Sequence, residues 1–250
     1  MEKQFLKENE KLEDLNLDGL KIIQNSLLYR FTSDAVILSN FVKAKPSDKL
    51  IDLGTGSAVI AILTAHKNNL QNVVGVELQK DLADMASRSV AYNKMQNKIQ
   101  ILNMDMKNIL SYQTRKNLGL ENFDIVVSNP PYKKGQTRKN LSESARLARH
   151  EIAIDMQTIC KIASVLLKFS GKFFVIYDAN RLAELMFCLK QNGLEPKKML
   201  LTQPAENKQP TLVLIEAVKG GKEGLKILPN LTTNDKDGKY LQTLKYLKLN

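Results

Sequence analysis

Cysteine and histidine are scarce in this sequence, two of each in 250 residues. Cys160 and Cys188 lack the CxxC spacing of a zinc site or redox pair, and two isolated cysteines make no disulfide framework, so both are expected as small core residues. His150 has no neighbour with which to build a triad or a metal site, and no metal is expected. Long apolar runs are also missing. Nothing approaches the roughly 20 residues that span a bilayer, and the opening stretch sets Glu2, Lys3, Lys7, Glu8, Glu10 and Lys11 among few apolar residues, unlike a signal peptide. A cytoplasmic protein without membrane contact is expected. No low-complexity linker or internal repeat divides the chain, and 43% hydrophobic content suffices for one core, so residues 1–250 are expected to form one domain. Acid is the minority charge: 26 Asp and Glu oppose 37 Lys and Arg, a formal +11 that favours a polyanionic partner such as nucleic acid, although a merely soluble basic protein has the same balance.

What is present is a run of strand and helix signals. Residues 1–48 read as a lead-in followed by a capping helix. Residues 1–18 are charged and weakly patterned, as a solvated or frayed segment would be. Leu20–Gln24 reads as a short strand. Tyr29-Arg30-Phe31-Thr32-Ser33-Asp34 then runs into Ala35-Val36-Ile37-Leu38, a helix start where Thr32 or Ser33 can cap orphan N–H groups and Asp34 faces the positive end of the dipole. Lys49–Leu53 reads as a strand entering Gly54-Thr55-Gly56-Ser57-Ala58 and a helix over Val59–His66. Gly54 and Gly56 permit a tight turn and close approach of a ligand, as the first crossover of a Rossmann-like sheet requires. The third glycine of the dinucleotide fingerprint is missing, replaced by Ala58 or Val59, which weakens the case for NAD or FAD. Strand Asn72–Glu77 ends in an acid about twenty positions beyond Gly56, the spacing of a ribose-binding acid; an exposed acid at a strand end is the plainer reading. A helix over Lys80–Asn93 turns Leu82, Ala83, Met85, Ala86 and Val90 to the core, and strand Lys98–Met104 leads to Asp105.

The strand-like run Phe123–Ser128 ends in Asn129-Pro130-Pro131-Tyr132. Two prolines cannot continue a strand, so the tetrapeptide is expected in a rigid turn at its C-terminal end, where open α/β sheets bind ligands. Proline donates no N–H, so the turn offers acceptors, the Asn129 side-chain oxygen and the Pro130 carbonyl, beside the Tyr132 ring; this suits a planar amino group. Residues 133–149 follow as a basic flap holding Lys133, Lys134, Arg138, Lys139, Arg146 and Arg149 against Glu143 alone, expected to touch RNA unless it is only solvated. A helix over Asp155–Lys168, a strand over Lys172–Tyr177 and a helix over Arg181–Asn192 closed by Gly193 come next. Strands Lys197–Thr202 and Thr211–Val218 are joined by a loop too short for a helix and must be antiparallel. Residues 219–250 read as a tail packed on the domain.

Asn129-Pro130-Pro131-Tyr132 resembles the signature of enzymes that move a methyl group from S-adenosylmethionine to the nitrogen of an adenine or a glutamine amide. The order of elements is similar to the α/β, Rossmann-like class I methyltransferases: a seven-stranded mixed sheet, helices on both faces and a C-terminal antiparallel hairpin. The resemblance implies S-adenosylmethionine as cofactor, Asp52 near its methionine part, Gly54, Thr55 and Gly56 around it, Glu77 on its ribose hydroxyls and Asp105 on its adenine amino group. Asn129, between cofactor and substrate, and the Pro130 carbonyl would accept from the target amino group while Tyr132 stacks on the base, and no strong general base is needed.

Over about residues 20–247 the chain is similar to the bacterial tRNA1(Val) (adenine-37 N6)-methyltransferase family. The likeness lies in Phe31-Thr32-Ser33-Asp34-Ala35-Val36, Asp52-Leu53-Gly54-Thr55-Gly56, Asn129-Pro130-Pro131-Tyr132, and the closing Leu228-Pro229-Asn230 and Gly238-Lys239-Tyr240. The second and third are shared widely among methyltransferases, so the first and last argue for this family. It implies methylation of a tRNA beside the anticodon, and a monomer is expected. Three alternatives compete. A glutamine N5-methyltransferase of release factors shares the tetrapeptide but carries a helical substrate domain ahead of the cofactor domain, where only residues 1–48 precede the first strand here. A DNA adenine methyltransferase would need a larger target-recognition region. A non-catalytic RNA-binding protein of the same fold would not bind S-adenosylmethionine.

Overall fold

The computed structural model describes residues 2–28, 32–131 and 155–235. Its main sheet is built from Lys49–Leu53 (β3), Asn72–Glu77 (β4), Ile99–Asn103 (β5), Phe123–Ser128 (β6), Leu167–Asp178 (β7), Leu194–Gln203 (β8) and Leu212–Lys219 (β9). Their order across the sheet is β5-β4-β3-β6-β7-β9-β8. Neighbours from β5 to β7 are parallel, and β9 inserts antiparallel between β7 and β8. These are the seven expected strands. Two-residue strands, Lys226–Ile227 (β10) and Leu231–Thr232 (β11), extend the β8 edge in parallel.

Period-two alternation sends neighbouring side chains to opposite faces. Val127 and Phe174 join the core beneath Ser33–Phe41 (α1) and Val59–Asn68 (α2), while Val126 and Phe173 join the core beneath Met156–Leu166 (α5) and Leu182–Gln191 (α6). Phe41 closes edge-on against Phe174, centroids 5.9 Å apart. The apolar face expected for the helix Lys80–Tyr92 (α3) is buried at Leu82, Ala83, Met85, Ala86 and Val90, and both cysteines are buried and free. No helix among the described residues is long and apolar enough to cross a membrane.

The sequence reading needs three corrections. Residues 1–18 are not a frayed lead-in: Glu10–Asp14 (β1) pairs antiparallel with Lys21–Asn25 (β2). The outer edge of β2 is met by side chains of α3 and of Asn93, the residue that caps it, rather than by a strand. The Lys21 N–H donates to Asn93 Oδ1 at 3.1 Å, Asn93 Nδ2 donates to the Lys21 carbonyl at 2.6 Å, and the Ile23 N–H donates to Ser89 Oγ at 2.9 Å. A two-pronged fork from Arg88 to Glu10, at 2.6 and 2.7 Å, closes the other end. The second correction is a helix over Tyr112–Leu118 (α4), where the sequence pattern indicates none. The third is the junction after α5, where the chain turns directly into β7 at Leu167. Of residues 219–250, the described part, to residue 235, meets the sheet through buried Leu228, and the rest, with Gly238-Lys239-Tyr240, lies outside the described residues.

Candidate active site

Sheet register brings the singled-out residues to one edge. Leu53 pairs with Val76 and with Ser128, and Glu77 pairs with Asn103, so β3, β4, β5 and β6 end side by side. Between β3 and β6 the strand order reverses, which is where open α/β sheets form their binding crevice. The Ser128 hydroxyl donates to the Leu53 carbonyl at 2.9 Å and locks the two ends together. Asn129 is half-buried beyond it, Pro130 is buried and Pro131 exposed. Tyr132 and the basic residues Lys133, Lys134, Arg138, Lys139, Arg146 and Arg149 lie outside the described residues, as do Tyr29, Arg30 and Phe31.

The glycine loop turns its amides inward. The N–H groups of Gly54 and Thr55 both donate to the Val76 carbonyl, at 2.9 and 3.0 Å, that of Gly56 to Glu77 Oε2 at 3.0 Å, and that of Ala58 to the Thr55 carbonyl at 2.9 Å. A loop whose donors are spent this way makes no anion nest, so it does not suit a pyrophosphate. It offers shape instead: a Cβ built at Gly56 would meet nothing within 4 Å. Gly54 and Gly56 take φ of +77° and +58°, and Ala58, one of the two residues standing for the absent third glycine, takes +67° with a side chain in place.

Asp52 lies beneath this loop, fully buried. Its Oδ2 accepts from the Thr55 hydroxyl at 2.7 Å, and the Ala61 N–H in the first turn of α2 also bonds to the carboxylate. Burial pushes its pKa up to about 7; the Thr55 hydroxyl pulls the other way, and the charge of Glu77 adds to the rise. A carboxylate beneath the glycine loop suits a ligand that carries a cation. Glu77 is also buried, at 6% exposure, not an exposed strand-end acid. Its two oxygens accept from the Gln79 N–H at 2.8 Å and the Gly56 N–H at 3.0 Å, and burial raises its pKa against those bonds. With the Leu78 N–H as a third backbone donor, the carboxylate still keeps lone-pair capacity for a ribose hydroxyl.

Asp105 ends the row, capping a 3-10 turn over Met106–Leu110 by accepting the Lys107 N–H at 2.8 Å. Thr32 occupies the expected cap position of α1, without a side-chain bond to the helix.

Four contributors escaped the sequence reading. A Cβ at Gly75 would stand 2.8 Å from Ile101 and 2.9 Å from Thr55 Cγ2, so its bareness is what seats Thr55 over Asp52. Asn103 holds the chain after Glu77 by donating to the carbonyls of Glu77 and Leu78, both at 2.9 Å. Leu78 is 44% exposed beside Glu77, an apolar face next to the acid. Gln24 of β2 reaches the loop from outside the main sheet, its Nε2 donating to Ser57 Oγ at 3.0 Å. Only Gly75, a lone glycine inside an apolar strand, carried a signal: such residues mark close approach.

The strand order and a switch-point site of this form define a class I methyltransferase. Residues 32–181 match the model of the methyltransferase small domain. The tRNA1(Val) (adenine(37)-N6)-methyltransferase of Haemophilus influenzae strain PittEE is 30% identical over 213 residues, 78% of this chain and 88% of its own. That of Bacteroides fragilis is 24% identical over 221 residues, 87% of this chain and 90% of its own. Among solved structures, a predicted O-methyltransferase from Agrobacterium tumefaciens superposes with a TM-score of 0.67 at 20% identity, covering 85% of this chain and 95% of its own. A geranyl diphosphate C-methyltransferase from Streptomyces coelicolor, solved with S-adenosyl-L-homocysteine, gives 0.53 at 13% identity over 75% and 76%. The chain belongs to the methyltransferase small domain family and, within it, to the tRNA1(Val) (adenine(37)-N6)-methyltransferases.

Proposed function

We propose that this chain transfers a methyl group from S-adenosylmethionine to the N6 amino group of an adenine in tRNA, adenine 37 beside the anticodon. The observation that carries the reading is the register that sets Leu53 beside Ser128, because it brings the start of the glycine loop next to Asn129 and Pro130. The cofactor, when bound, supplies a methyl group already activated on a sulfonium. Asp52 and the loop would hold its amino-acid end, Glu77 its ribose and Asp105, with the apolar face of Leu78, its adenine. The Asn129 side-chain oxygen and the Pro130 carbonyl would accept from the target amino group, orienting its lone pair and stabilising the charge it gains. The resulting cation is acidic enough to lose its proton to water. Tyr132 would stack on the extruded base, worth about 1–3 kcal/mol, and Lys133, Lys134, Arg138 and Lys139 would grip the phosphates.

Mass spectrometry of nucleosides from individual tRNAs of a strain lacking this chain tests the reading. Loss of N6-methyladenosine from one tRNA, restored by the purified protein, is expected. Unchanged tRNA together with methylation of a protein glutamine would replace it.

A further inference from the structure

Helix α4 stands outside every role assigned so far. It buries no residue, yet it begins on an aromatic side chain, and Tyr112 is 60% exposed on the connection between β5 and β6. A ring that buries so little of its area contributes little to the fold. This one is nevertheless held. The Arg115 guanidinium lies 5.9 Å from the ring centre, and its Nη1 donates to the carbonyls of Ile109 and Leu110 at 2.6 and 3.1 Å. Arg115 is thus fastened to the turn ahead of the helix with its cation against the ring, and the exposed area of Tyr112 lies away from it.

The surroundings carry one sign of charge. Residues 106–120 contain Lys107, Arg115 and Lys116 and no acid, and both lysines are exposed. An open aromatic face among fixed cations is the combination that holds single-stranded nucleic acid, because a base stacks on the ring while the cations meet phosphates.

The position agrees. Met106 opens the 3-10 turn that precedes α4, and its Cε lies 3.7 Å from where a Cβ at Gly54 would stand. Six residues at the roughly 2 Å rise of such a turn set Tyr112 about 12 Å from Met106. The same turn packs against α5, and the charge of Lys107 reaches Asp155, which caps α5 directly after the segment that carries the basic flap.

We propose that Tyr112 is a stacking platform for an unpaired base of the RNA substrate, a nucleotide flanking the one that enters the site, with Lys107 and Lys116 beside its phosphates. The inference rests on tRNA being the substrate, and the test separates the two. The probe is tRNA1(Val) carrying 2-aminopurine on one side or the other of the target adenine, titrated into the full chain with S-adenosylhomocysteine present. Failure of the wild-type protein to bind tRNA overturns the RNA reading and this proposal with it.

With wild-type binding in hand, Tyr112→Ala should weaken tRNA affinity by about 5–150-fold, the range for one stacked base. The 2-aminopurine fluorescence that the wild type quenches at one of the two positions should stay unquenched. Tyr112→Phe keeps the ring face and should match the wild type within about twofold in both readings. Neither variant should change the affinity for S-adenosylhomocysteine or the slope of tRNA affinity against salt, since neither removes a charge, whereas Lys107→Ala with Lys116→Ala should lower that slope by roughly 0.7 for each phosphate released. Unaltered tRNA affinity in Tyr112→Ala would overturn the proposal and leave the substrate reading intact. An equal loss in Tyr112→Phe would assign the effect to the hydroxyl and reject stacking, and a parallel loss of S-adenosylhomocysteine binding would make Tyr112 a residue of the fold alone.

Discussion

The Thr55 hydroxyl donates to Asp52 across a space that Gly75 leaves bare on the neighbouring strand. The bond is 2.7 Å long, and a methyl group at position 75 would stand 2.9 and 3.0 Å from the two branches of Thr55. Two separate stretches of sequence thus meet at one hydrogen bond: the end of β3 with the loop it enters, and the middle of β4.

Gly75→Ala should therefore cost about 1–3 kcal/mol, the range for overpacking a filled interior, read as a lower denaturant midpoint. Thr55→Ser, which deletes one of the crowded branches, should recover part of that loss in the double variant. Additive losses would show that the two positions do not share the space.

Asp52 gives a pH dependence with a definite sign. Its native pKa of about 7 lies above the ordinary 3.8, so between those values the folded protein binds more protons than the unfolded chain. Stability of the unliganded protein should fall as pH rises through this window, by at most about 1.4 kcal/mol per unit, and level off above it. Glu77, also raised by burial, adds a contribution of the same sign. Asp52→Asn should flatten the curve. A ligand ammonium reverses the preference, so S-adenosylhomocysteine should bind with release of a proton near pH 6, visible when calorimetry is repeated in buffers of different ionisation heat.

Glu77→Ala should weaken cofactor binding by about tenfold or more, as loss of a charged acceptor does. Because the carboxylate also accepts the Gly56 N–H, Glu77→Gln, which retains one acceptor oxygen, should lose less. An unchanged dissociation constant in both would remove Glu77 from the site.

Asn129→Ala should separate chemistry from grip. Removing one group that stabilises charge in the transition state costs about 10²–10³ in turnover, so single-turnover methylation should collapse while S-adenosylhomocysteine still binds. A normal rate would end the proposed role of the Asn-Pro-Pro turn.

Replacing Lys133, Lys134, Arg138 and Lys139 by Ala should act the other way. tRNA affinity should drop and its salt dependence flatten, by a slope of roughly 0.7 for each single-strand phosphate no longer neutralised, with turnover at saturating tRNA largely kept. An intact salt slope would reduce the flap to a solvated loop and favour a protein substrate.

How far the sequence announced this architecture depended on where the ordering forces lie. Strands β4 and β6 are buried on both faces, so their apolar runs marked their ends to the residue. Helix α4 buries no residue and shows no apolar stripe, so periodicity could not detect it; its order comes from the Ser111 cap and the left-handed Gly119. Strand β1 reads Glu-Lys-Leu-Glu-Asp and resembles solvated chain, because its anchor, Arg88, is 78 residues away. The site divides along the same line. Gly54, Gly56 and Glu77 announce themselves through local turn chemistry and spacing, whereas Gly75 and Gln24 matter through neighbours brought up by folding.

That separation between Glu10 and Arg88 also sets an order of events during synthesis. At about 5–20 residues per second, a ribosome releases β1 and β2 several seconds before α3 follows. A lone two-stranded hairpin is at best marginally stable in water, so the segment has nothing to settle against until α3 is out and laid on the sheet. The hairpin, made before α3, thus finds its place only after α3 has followed, and the carboxamide of Gln24 meets Ser57 of a loop made later than itself.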